Sequence, residues 1–208
     1  MLFRRRTSKT ADRSLVQQGR PPEASNRGRD VVTIAVNAAV LASTEILAQG
    51  ICPRPQVHLF FDGEQTSYDG FVVCRPYYPG ADAMSAISEL GTLAASLYAT
   101  RVMVVWEEAD LQCSLAIPGN HAMALTTLTA DYTNHELVRR PLTPAHEVSP
   151  TGLIGAVPGG RPETSTNTRL PAPIAQLLSN WRSLDGPHVE TIVGQMQSAG
   201  YEFVFRPR

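Results

Sequence analysis

The chain has 208 residues, 43% of them apolar, and a formal net charge of −1. That length suits one domain with a tail or two small domains, and the apolar fraction suffices for a core. The only lysine is Lys9, which excludes a lysine Schiff base, a P-loop or a carboxylate–lysine nuclease pair from the rest of the chain.

The charge is unevenly divided. Residues 1–30 hold eight basic residues against three acids, and residues 31–208 hold ten against sixteen. A basic arm therefore precedes an acidic body. The three cysteines, Cys52, Cys74 and Cys113, form no C-x-x-C pair. Neither a structural zinc site nor a disulfide framework is expected, and the usage fits a reducing, cytoplasmic setting.

In chain order, residues 1–29 lack any apolar period and read as a disordered basic arm. Arg4, Arg5, Arg6, Lys9 and Arg13 are its candidates for contact with nucleic acid. No apolar stretch follows the arginine triplet within twenty residues, so neither a signal peptide nor a twin-arginine signal is read. A first helix is predicted over 31–49, capped by Asp30, with Val31, Ile34, Ala38, Leu41, Ala42 and Ile46 on its core face. Asn37, Thr44, Glu45 and Gln49 interrupt its apolar run, so it is read as a core helix and no membrane partner is expected.

Strands are predicted at Val57–Phe61 and Phe71–Tyr77, joined as a hairpin through Asp62-Gly63 and Asp69-Gly70. A second helix, Asp82 to Ala99, is capped by Asp82 and packs through Ala83, Ile87, Leu90, Ala94 and Leu97. The run Val102 to Trp106 is uninterrupted and rich in valine, the pattern of a strand buried on both faces. Further strands are expected at Leu111–Ile117, Ala122–Tyr132 and Glu136–Leu142, the last closed by Pro141. Residues 143–173, dominated by Pro, Gly, Thr and Ser, read as a loop or linker. Two amphipathic helices, Ile174–Leu184 and His188–Ser198, and a strand at Tyr201–Phe205 complete the chain.

The expected fold is α+β: an arm (1–29), a core domain (30–142) with about five largely antiparallel strands in the order α-β-β-α-β-β-β, the loop (143–173), and a C-terminal α-α-β segment (174–208). The order of elements resembles the roadblock/profilin-type layout of small scaffold and regulatory domains. That order alone carries the resemblance, and no motif does.

Motifs for chemistry are few. Gly155-Ala-Val-Pro-Gly-Gly160 continues with Arg161 and Pro162 where a phosphate loop needs Lys and Ser/Thr. The two C-terminal helices suggest a helix-turn-helix, but the second offers His188, Glu190 and Thr191 in place of basic residues. The weak catalytic candidates are Glu108 and Asp110, at the end of the central strand, where carboxylates can hold a divalent cation or act as acid and base, and His121, a loop away. Strand alternation would separate Glu107 from Glu108 and place Glu108 with Asp110. No metal or cofactor is expected. The reading is a non-enzymatic interaction or structural module, binding protein, whether itself or another. A nucleic-acid-associated protein using residues 1–29 is the first alternative, and a metal-dependent hydrolase at the carboxylates the second.

Overall fold

The computed structural model describes residues 24–63, 65–148 and 152–205. The expected α+β class holds: among the described residues there are five helices and an open antiparallel sheet of eight strands, more than the five expected for the core. The elements are α1 (Ala24–Ala48), β1 (Gln56–Phe61), β2 (Ser67–Val73), α2 (Ala81–Ser96), β3 (Arg101–Glu107) and α3 (Glu108–Ser114). They continue with β4 (Ala124–Ala130), β5 (His135–Val148), β6 (Ile154–Pro158), β7 (Glu163–Thr166), α4 (Ala172–Arg182), α5 (Val189–Ala199) and β8 (Glu202–Phe205). The sheet runs β6-β5-β4-β3-β1-β2-β8, with β7 also on β5. The C-terminal strand thus joins the main sheet, pairing Gly70–Val73 with Glu202–Phe205.

β3 lies in the middle of this order, and the two faces of its neighbours build two cores. Val57, Leu59, Val102, Val104, Trp106 and Leu128 meet α2, α4 and α5. Phe60, Met103, Val105, Leu125 and Leu142 meet α1. The period-two alternation of a strand decides which side chain goes to which layer. His58 faces the α1 side; burial lowers its pKa to about 3, so it is neutral there, its Nδ1 2.9 Å from the Tyr68 hydroxyl.

Several expectations are corrected. The strand predicted at Leu111–Ile117 is the helix α3. Its first turn holds Glu108 and Asp110, and the Glu107 carboxylate caps it, so the acids start a helix where a strand exit was expected. Residues 143–173 contain the end of β5 and all of β6 and β7. Their threonines and valines are good strand residues hidden among Pro and Gly. Pro141 does not close β5: it stands opposite Ala124, the first residue of β4, and its other side meets Gly159, past the end of β6, where a missing N–H is tolerated.

The first helix begins at Ala24, so Asp30 is not its cap, and residues 1–23, with Arg4, Arg5, Arg6, Lys9 and Arg13, lie outside the described residues. Gly80, not Asp82, is the N-cap of α2. Asp82 sits in the first turn, where its carboxylate accepts from the Tyr78 N–H at 2.8 Å and from Arg75. The core face of α1 also differs. Ala35, Ala39, Ser43 and Leu47 lie against the sheet, whereas Ile34 (67% exposed), Leu41 (62%) and Ile46 (38%) face away. The helix is apolar on nearly every side, so its period could not select the buried stripe; close approach did. A Cβ on Gly155 would stand 2.2 Å from the Ala48 carbonyl oxygen, and only small residues fit such a contact. Among the described residues α1 alone, over Val31–Ala48, is long and apolar enough to cross a membrane; 22% of that window is buried.

Candidate functional site at the end of the central strand

β3 ends between two clefts because alternation sends Trp106 to the α4 face and Glu107 to the α1 face. On the α1 side a 260 Å³ cavity is lined by Leu47, Ile51, Cys52, Glu107, Asp110 and Met123, among others. Glu107 is buried and fully engaged. Its Oε1 accepts from the N–H of Ala124 at 3.0 Å and of Ala109 at 3.2 Å, and its Oε2 from that of Asp110 at 2.6 Å. One carboxylate thereby ties β3, α3 and β4 together. The Cys52 thiol points at it, Sγ 4.0 Å from Oε2.

Partial burial, then the charge of Glu107, raises the pKa of Asp110; burial of the sulfur and both carboxylates push the Cys52 thiol well above its ordinary range. A thiol so held stays protonated at neutral pH and is a poor nucleophile. The corner therefore fastens structure and is not set up for acyl transfer.

On the α4 side, Glu108 bonds Arg139, whose Nε donates to Oε2 at 2.5 Å, and Arg139 also approaches Glu163 at 3.5 Å. The helical turn at 108 thus separates Glu108 from Asp110, which strand alternation would have grouped. His121 is away from both, its Nε2–H donating to the Ile117 carbonyl at 2.9 Å. The three sequence candidates are not brought together, and no group of three His, Cys, Asp or Glu among the described residues is placed to hold a metal ion. Sequence reasoning missed Arg139 and Thr126 as neighbours of Glu108; only the pairing of Thr126 with Arg139 across β4 and β5 places them there.

The two carboxylates carry different weights. Glu107→Gln keeps the shape but sets an amide N–H₂ against a backbone N–H, and is expected to cost about 2–3 kcal/mol. Glu108→Gln loosens a partly solvated ion pair and is expected to cost less than about 1 kcal/mol. Urea unfolding of both variants checks the contrast, and equal losses would contradict it.

No family model, no curated protein and no solved structure matches the chain. The resemblance in element order therefore brings no family with it.

Proposed function

We propose that the chain is a non-enzymatic, cytoplasmic interaction module that pairs with a second copy of itself through the outward face of α1. One observation carries the reading. Of fourteen large hydrophobic residues exposed among the described residues, seven lie on α1, just after it, or on the β5–β6 hairpin: Ile34, Leu41, Ile46, Ile51, Val148, Leu153 and Ile154. The hairpin packs on the end of α1, with Leu153 against Gly50, so the last four make one patch with Ile46. Apolar clusters of this kind mark interaction surfaces, whereas scattered hydrophobics do not. A second copy is favoured because each chain carries complementary halves, net +5 over residues 1–30 and net −6 over residues 31–208.

Sizing chromatography with light scattering tests it. The intact chain is expected to run as a dimer, and Leu41→Glu or Ile154→Glu as a monomer with unchanged circular dichroism. A monomeric wild-type chain at low and moderate salt would defeat the reading. The charge division also supports a second reading, contact with nucleic acid through the arm. Deleting residues 1–23, which precede α1, should then abolish a salt-dependent affinity for duplex DNA or RNA. Affinity unchanged by the deletion excludes it.

A further inference from the structure

The α4-side cleft holds an observation that neither the fold nor the interaction surface uses. Trp106 and Thr126 face each other across β3 and β4 and are each 2% exposed. The Trp106 indole Nε1 and the Thr126 Oγ1 are both buried and without a hydrogen-bond partner. Leaving one such group unmade costs about 1–3 kcal/mol, and two side by side are rarely left so without a ligand or ordered water. Both side chains line one cavity of 190 Å³, which also takes in Glu108, Leu137, Arg139 and Arg169. Pro171 is in the same wall, and α4 starts at the next residue, adding the positive end of its dipole.

The chemistry of this wall selects its ligand. Trp106 can only donate, and Thr126 can donate. Arg139 is already matched by Glu108, so the exposed Arg169 supplies the cavity's surplus positive charge. That balance fits a monoanion and opposes a dianion, which Glu108 would repel. Leu137, Pro171 and the indole offer apolar surface, and the volume is below that of drug-sized pockets. We propose that this cavity binds a small monocarboxylate, its oxygens taken by the Trp106 N–H, the Thr126 hydroxyl and Arg169, its short apolar tail against Leu137 and Pro171. The site is separate from the α1 face, so it stands or falls independently of self-association.

The test uses the two tryptophans of the chain as reporters. The Trp181 indole N–H already donates to the Ala99 carbonyl at 2.7 Å, whereas that of Trp106 is free. In ¹⁵N-labelled full-length protein, Trp106→Phe assigns the two indole signals. Sodium butyrate is then added to about 50 mM, a range that captures millimolar binding, against sodium chloride of matched ionic strength. The expected result is a saturable downfield shift of the Trp106 indole proton with Trp181 unmoved. Thr126→Val and Arg169→Gln should each weaken the affinity about fivefold, the worth of one hydrogen bond. No saturable shift beyond the chloride control means that the cavity holds water only and overturns the proposal. Equal movement of both indoles, or affinity unchanged in both variants, overturns it as well.

Discussion

Trp181→Ala is expected to destabilise the protein by about 3–5 kcal/mol, the range for removing a buried tryptophan. Trp181 is 0% exposed and packs α4 into the core beneath α2 and the sheet. Its ring stacks on Tyr132 at 5.0 Å between centroids. Its indole N–H and the Tyr132 hydroxyl both donate to the Ala99 carbonyl oxygen, at 2.7 and 2.9 Å. Truncation would leave a cavity and strip one of two donors from that carbonyl. Trp181→Phe separates the two effects: it keeps most of the volume and loses the hydrogen bond, for about 1–2 kcal/mol. Denaturant titration of the pair reads both numbers. A loss under about 1 kcal/mol for Trp181→Ala would mean that α4 does not hold the core together.

The second large effect comes from a residue with no side chain. In the interior of a helix Gly→Ala is normally favourable by about 1 kcal/mol. At Gly91 the sign is expected to reverse. A Cβ built there stands 2.0 Å from the Leu177 carbonyl oxygen and 2.8 Å from its carbonyl carbon, both backbone atoms of α4 that no rotamer change can move. α2 and α4 would have to part, opening the contact around Leu90, Ala94 and Leu178. A net loss of about 2–3 kcal/mol is expected for Gly91→Ala, as for overpacked cores. Gly91→Leu should prevent α4 from docking and expose Trp181, read as a red shift of its fluorescence. A stabilised Gly91→Ala variant would mean that α2 and α4 do not meet at Gly91 and Leu177.

Much of this architecture was legible in the sequence. Val102–Trp106 announced a strand buried on both faces, and β3 is central with both faces covered. The spacing of Ile174, Leu177, Leu178 and Trp181 gave the buried face of α4. Three things were not legible, each for a physical reason. In α1 the apolar residues surround the axis, and whether Ile34 or Ala35 turns inward depends on how closely the sheet can be approached, a tertiary property that the helix's own period does not carry. At Glu107–Asp110 the acids fit a strand exit as well as a helix start, and three backbone N–H groups converging on Glu107 decided it. In 143–173, Pro and Gly outweighed threonines whose strand character is realised only beside β5.

The candidate site followed the same division. Glu108, Asp110 and His121 were chosen because they cluster in sequence, and the fold disperses them. Trp106 and Thr126 carry no functional signal in the sequence, because each fits a strand. Their unpaired polar atoms exist only once β3 and β4 are side by side.

The pairing of β2 with β8 also governs synthesis. A nascent chain that has delivered β1, β2 and β3 holds an unsatisfied row of amides along β2, and the four residues that close it, Glu202–Phe205, leave the ribosome more than one hundred residues later. Throughout that interval Phe71 and Val73 line an open edge, available to any neighbouring polysome product with a free strand. A message truncated between Val73 and Glu202 should therefore yield a sticky, protease-sensitive product, with chaperone demand lasting until β8 has been made.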